Sequence, residues 1–210
     1  MGTWGSRFGI SLLLLAAASA CGGGRPSNPD ASYVATLNAE RAAKDAAFQS
    51  AQNSPVPAAD RAAYLPLKYF APDPAYVVVA SFTPAPVRTP LKTTTSTGQI
   101  RDMELVGTLE FTLGGRPLSL AALVEADTPS DRLFVPFTDL TSGTETYSGG
   151  RYLEINRSKT GIYNIDFNRA FNPYCYYNHE YDCPYPPKQN RLPIPVRAGE
   201  KLAQSTLPAR

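Results

Sequence analysis

Proline and glycine interrupt this chain at short intervals after Asn53, and that limits its fold more than any other feature. Twenty prolines and fifteen glycines rule out a helix bundle, because an internal Pro removes a helical hydrogen bond and clashes with the turn before it. From Tyr64 onward the apolar residues recur with period two. Segments 76–82, 103–113, 117–124, 133–137, 152–156, 162–167 and 192–196 read as strands. Segment 87–94 is an eighth, placed at an edge by Pro90. Gly114-Gly115 marks a hairpin between two of them. Seven or eight short strands with regular turn signals predict a mainly β domain over 60–203, an antiparallel sandwich or partly open barrel. With 43% apolar and 18% charged residues, the chain can bury a core.

Two segments precede that domain. Segment 31–52 is Ala-rich, free of Gly and Pro, and puts Tyr33, Leu37 and Phe48 near one stripe, which predicts an N-terminal helix at the domain edge. Asp30 is placed to cap its start, and Asn53-Ser54-Pro55 to end it. Residues 1–20 read as an export leader. Arg7 supplies positive charge, an apolar run of about 11 residues follows, and Ala18-Ser19-Ala20 offers small residues for cleavage. That run is too short to span a bilayer, which takes roughly 20 residues. Cys21 comes directly after, in the spacing of a lipoprotein lipobox, so Cys21 is the expected lipidation site and 21–30 a flexible tether. The sequence therefore predicts a lipid-anchored protein of the cell envelope. In a cell with two membranes it would sit on the periplasmic side of the inner or the outer one, with the membrane a partner through the lipid.

Charge and composition exclude several functions. Twenty Lys and Arg against eighteen Asp and Glu give +2, without the basic excess of a nucleic-acid binder. One His and three Cys cannot build a multi-His or all-Cys zinc site, so neither metal nor cofactor is expected. His179, the sole His, reads as a loop residue between two cysteines.

An ordered set of motifs resembles a known family. It runs through Asp139-Leu140-Thr141-Ser142-Gly143, Gly149-Gly150-Arg151-Tyr152-Leu153, Asp166-Phe167-Asn168-Arg169, Cys175, Cys183-Pro184, Pro186-Pro187 and Asn190-Arg191-Leu192. Upstream, Lys44-Asp45, Phe48, Tyr69-Phe70 and Asp73-Pro74-Ala75-Tyr76 belong to it, as does Ala198-Gly199-Glu200 near the end. Over roughly Glu40 to Leu202 the chain resembles the short, lipoprotein-like members of the bacterial and archaeal family of domain of unknown function 1684. That resemblance implies a relative without implying a reaction. Where the family usually has Glu before the Asn, this chain has Gln189.

Candidate ligand-binding residues are Glu145, Tyr147, Arg151, Asp166, Asn168 and Arg169. Acid, amide and guanidinium at one strand end can hold an oxyanion or a polar ligand. The same residues can instead pair and tie loops down. Cys175 and Cys183 are expected to form a disulfide in an oxidising compartment, with a metal site or a redox pair as alternatives. Tyr174, Tyr176, Tyr177, Tyr181 and Tyr185 crowd the same loop, as a recognition surface if exposed or a barrel cap if buried. The expected function is a module binding an envelope ligand or protein partner. The alternative is an envelope hydrolase or transferase using Asp166, Glu145, Tyr147 and Arg151, which requires those side chains to converge on one cavity.

Overall fold

The computed structural model describes residues 1–2, 29–126, 128 and 130–203. Cys21, leader residues 3–20 and most of the tether lie outside the described residues. Six strands carry the architecture: β1 (Val77–Thr94), β2 (Ile100–Leu113), β3 (Arg116–Glu125), β4 (Arg132–Phe137), β5 (Arg151–Asn156) and β6 (Ile162–Asp166). They make one antiparallel sheet in the order β5-β4-β3-β2-β1-β6. β5 and β6 are consecutive in the chain yet occupy opposite edges. At about 4.8 Å between strands a flat sheet would hold those edges about 24 Å apart. The short, bent connection 157–161 does not reach so far. The sheet therefore curls into a nearly closed barrel. Its interior is packed by Leu109, Leu120, Leu133, Val135, Phe137, Ile165 and Phe167, all fully buried.

Among the described residues, the strand count of seven or eight is corrected to six. Segments 76–82 and 87–94 are one strand, broken in register against β2 between Pro84 and Thr89. Pro84 and Pro86 have no N–H to donate, so the ladder bulges there and resumes. Pro90 lies opposite Glu104, in the half of β1 beyond the reach of β6, which pairs only with Val77–Ser81. Segment 192–196 bends at Pro193 and Ile194 and runs beside the end of β4 without joining the sheet. Leu192 N–H donates to the Thr138 carbonyl at 2.8 Å, and Leu140 N–H donates to the Ile194 carbonyl at 3.2 Å.

Two joints show how particular residues set the geometry. Gly114 and Gly115 have φ of 58° and 74°, the left-handed pair that a two-residue hairpin turn requires. Between β3 and β4, Leu123 opposite Phe134 is the one ladder pair among the described residues. A side chain replaces the missing rungs, because Pro136 cannot donate. The buried Asn190 amide accepts from Ala121 N–H at 2.7 Å and donates to the carbonyls of Ala121 at 3.0 Å and Pro136 at 2.7 Å. It acts as one peptide of an absent strand.

The N-terminal helix α1 spans Pro29–Ser50 rather than 31–52, so the end of the supposed tether is already helical. Pro at the first position suits a helix start, where its missing N–H is no loss. The C-terminus is closed from outside. Ser54 Oγ donates to the Phe48 carbonyl at 2.7 Å, and Arg61 reaches the carbonyls of Gln49 at 2.6 Å and Ala51 at 3.1 Å. A cation and a hydroxyl thus satisfy the carbonyls that every helix leaves unpaired at that end. The inward stripe runs Tyr33, Leu37, Arg41, Lys44, Phe48, a helical spacing in which only Leu37 and Phe48 are buried apolar residues. Polar contacts supply the rest of the docking. Arg41 donates to the Phe70 carbonyl at 3.1 Å, and Asp45 accepts from Leu67 N–H at 2.8 Å. Among the described residues, no helix is long and apolar enough to cross a membrane.

Candidate functional site

The six candidate residues do not converge. Asp166 ends β6 and caps the 3-10 turn Phe167–Arg169, accepting from Asn168 N–H at 3.0 Å. The Tyr33 hydroxyl lies 2.9 Å from both Asp166 oxygens, and Arg169 Nε donates to Asp166 Oδ2 at 2.9 Å. Arg169 also pairs with Glu40 of α1. Asn168 is buried and reads the backbone of Asp73, donating to its carbonyl at 2.8 Å and accepting from its N–H at 3.0 Å. These three residues therefore moor α1 and the segment before β1 to the end of β6. Asp166 and Arg169 still border a cleft at the β5–β6 gap.

Arg151, Glu145 and Tyr147 lie elsewhere. The Arg151 guanidinium is fully buried. It pairs with Asp139 at 2.9 Å and donates to the carbonyls of Val196 at 2.8 Å, Glu200 at 3.3 Å and Ala198. Asp139 in turn accepts from the N–H groups of Thr141 at 2.8 Å and Val196 at 3.1 Å. Glu145 is paired on the surface with Arg197 at 2.9 Å. Tyr147 packs against Tyr176, ring centroids 5.2 Å apart, and burial raises its phenol pKa. The shared cavity that the hydrolase or transferase reading requires is not formed by Asp166, Glu145, Tyr147 and Arg151.

The disulfide is also corrected. Cys175 and Cys183 are buried free thiols, not at bonding distance. Cys175 N–H donates to Cys183 Sγ at 3.2 Å. The loop is held by other means. Ser96 N–H donates to the Cys183 carbonyl at 2.9 Å, Ser96 Oγ to the Tyr181 carbonyl at 2.9 Å, and the Tyr152 hydroxyl to the Pro184 carbonyl at 2.6 Å. Arg101 donates to the Asp182 carbonyl at 2.9 Å and its carboxylate at 2.8 Å. With the β1–β2 turn and the sheet pinning it this way, the loop is ordered without a covalent bridge. The two thiols split in acidity. A hydrogen bond from the Cys175 thiol holds Cys183 below the ordinary thiol range, aided by the Cys175 N–H and Arg101, while that shared bond and burial push Cys175 up.

The tyrosines divide as well. Tyr176 and Tyr177 are buried, Tyr181 is half-buried, and Tyr174 and Tyr185 are exposed. Tyr176 and Tyr177 pack with Phe48 and Tyr64 beneath α1. Tyr174 and Tyr181, ring centroids 5.2 Å apart, instead wall a cleft of about 600 Å³ between the loop and the sheet. Phe134 and Tyr152, at 4.7 Å, and Phe171 complete its aromatic lining. Charged side chains at this cleft are matched. Arg101 pairs with Asp182 at 2.8 Å, Arg132 with Glu154 at 2.5 Å, and Lys44 with Glu200 at 2.5 Å. Cys183 borders it. Sequence reasoning missed this cleft, although Phe134 and Tyr152 carried a signal: each is an aromatic between inward-facing neighbours on its strand. His179 is exposed, as expected for a loop residue. Among the described residues, no cluster of three or more His, Cys, Asp or Glu could hold a metal ion.

A six-stranded, nearly closed antiparallel barrel with a polar-docked helix and an aromatic cleft defines a small β-barrel protein. The chain belongs to the family described as Protein of unknown function (DUF1684), whose sequence model matches residues 62–201. It is similar to the solution NMR structure of an uncharacterized protein of Haloarcula marismortui, with 36% identity and a TM-score of 0.65, covering 81% of this chain and 95% of that one. No curated protein matches the chain significantly. Gln189 is exposed, while the neighbouring Asn190 is the buried staple between β3 and β4.

Proposed function

We propose that this chain is an exported, lipid-anchored protein of the cell envelope that binds a ligand or partner in the aromatic cleft beneath the Tyr174–Tyr181 loop. The lipid anchor rests on the sequence alone: a short apolar leader, small residues at 18–20, and Cys21 directly after them. Acyl chains on Cys21 would hold the protein on a membrane surface, each buried methylene contributing about 0.8 kcal/mol.

One observation supports the binding reading above the others. The cleft has an aromatic wall of Phe134, Tyr152, Phe171, Tyr174 and Tyr181, and the charges around it are paired. An apolar concavity with a few fixed polar groups is the usual form of a small-molecule site. Matched charges leave no strong preference for an ionic ligand, so ring-bearing neutral molecules and sugars fit it best. The experiment is a thermal-shift screen of oligosaccharides and neutral aromatic compounds against the mature chain and against a Tyr174→Ala/Tyr181→Ala variant. A ligand that raises Tm of the parent alone supports the reading. Equal shifts in both, or none, defeat it. For the anchor, Cys21→Ser should abolish metabolic fatty-acid labelling and release the protein from membranes. A variant that stays labelled and membrane-bound rules the anchor out.

A further inference from the structure

We propose that Cys183 is a nucleophilic thiol serving the aromatic cleft, a covalent modification site for a neutral, ring-bearing electrophile such as an activated alkene. The inference rests on the reading of the cleft as a ligand site and adds what chemistry its wall can perform.

Three observations place the thiol. Cys183 borders the cleft beside Tyr152 and Tyr181. Its sulfur accepts the Cys175 backbone N–H at 3.2 Å. Arg101 is fixed nearby by Asp182 at 2.8 Å and faces Glu125 at 3.9 Å. A sulfur that accepts a backbone N–H, with a guanidinium bound to the residue next to it, is set up to carry negative charge, the reactive form of cysteine. Asp182 opposes that charge, and the phenols of Tyr147 and Tyr152 stand close by as neutral groups with raised pKa values. Cys175 is more deeply buried and its acidity is suppressed, so the pair is asymmetric in both access and chemistry.

In the reaction, the Cys183 sulfur attacks the electron-poor carbon of an alkene conjugated to a carbonyl. A carbon–sulfur bond forms and the alkene π pair moves onto the carbonyl side as an enolate. A proton from water completes the thioether. Nothing is oxidised, and no further reactant is needed. The aromatic wall would hold the ring of such a molecule, and proximity would raise the rate above that of a free thiol.

The experiment labels the folded full chain with iodoacetamide across a pH series, followed by peptide-resolved mass spectrometry. Cys183 should be modified at least tenfold faster than Cys175, with a rate midpoint below the ordinary thiol value of about 8.5. Cys175→Ser and Arg101→Gln should each move that midpoint upward. If Cys175→Ser fails to fold, Arg101→Gln still decides the point. N-phenylmaleimide should outpace N-ethylmaleimide at Cys183 in the folded protein but not in urea, and Tyr174→Ala/Tyr181→Ala should remove the difference. Protein isolated from the envelope without reductant should retain both thiols. Labelling of Cys183 only after unfolding, a midpoint at or above the ordinary value, or a fully oxidised pair in isolated protein overturns the proposal. A reactive Cys183 with no ring preference overturns the cleft as its ligand site while leaving the nucleophile in place, so the two failures are distinguishable.

Discussion

The Arg151 guanidinium and the Asp139 carboxylate meet at 2.9 Å with both side chains closed to solvent. Around them the guanidinium also gathers the carbonyls of Val196, Ala198 and Glu200, so one side chain fastens the C-terminal strap to the start of β5. Gly150, next to Arg151, has φ 89°, and a Cβ there would meet the Phe137 carbonyl oxygen at 2.6 Å. Backbone and side chain together bring the strap against the barrel.

Breaking this pair should be among the costliest single changes in the protein. Asp139→Ala leaves a buried guanidinium without its counter-charge, at a cost of about 3–5 kcal/mol. Arg151→Lys should be nearly as severe, because an ammonium cannot fan to a carboxylate and three carbonyls. Urea denaturation of the folded variants measures both, and a loss under about 1 kcal/mol for Asp139→Ala would refute the account.

Glu200 should behave in the same way for a different reason. Its carboxylate is buried and receives Lys44 at 2.5 Å, the Asn172 N–H at 2.7 Å and the Tyr177 hydroxyl at 2.8 Å. Glu200→Ala therefore strands three donors and detaches α1, at about 3–5 kcal/mol. Glu154→Ala removes an equally short ion pair, but one lying in solvent, and should cost less than about 1 kcal/mol. Comparing the two by chemical denaturation tests whether burial or bond length sets the energy.

Asn190 makes a third test. Replacing its amide by Ala orphans the N–H of Ala121 and the carbonyl of Pro136, with about 1–3 kcal/mol lost for each buried group left unpaired. Hydrogen exchange should show faster opening at Ala121 in Asn190→Ala while the β1–β2 hairpin stays protected. Uniform acceleration across the sheet would argue against a local staple.

The tyrosines set an alkaline limit. Burial raises the pKa of Tyr33, Tyr69, Tyr147, Tyr152 and Tyr177, and pushes Tyr176 up to about 12. The unfolded chain releases those protons near the ordinary value of about 10. Above that pH the unfolded state binds fewer protons than the folded one, so stability falls as pH rises. The stabilisation is complete below about pH 10 and is lost progressively through the folded-state values. Urea midpoints should lose their pH dependence from these groups below about pH 9.5 and decline beyond it, and Tyr176→Phe should make the decline shallower. A midpoint still level at about pH 11 would contradict the assigned burial.

Much of the barrel is legible in the residues. Alternation around Leu109, Phe111 and Leu113, the Gly114-Gly115 turn, and the Ala-rich run before Asn53 each fix a local conformation by steric and burial preferences that act within a few residues. Family membership was legible too, because it is carried by ordered motifs. Pairing was not. Period two says that 192–196 is extended, but whether it joins a sheet depends on which backbone lies beside it, and Arg151 and Thr138 decide that from far along the chain.

The site divides along the same line. The sequence by itself determined which residues are chemically able: the acids, the arginines, the two thiols and the crowd of tyrosines. Only the tertiary structure decided their partners. Curling the sheet buries Arg151 with Asp139 and sends Glu145 to Arg197. It lays Tyr33 and Glu40 of α1 on Asp166 and Arg169, and leaves Tyr174, Tyr181 and Cys183 around a cleft. A charge becomes a strut or a site according to what closes over it, and that is set by contacts between separate segments, from 12 positions apart for Asp139 and Arg151 to 133 for Tyr33 and Asp166.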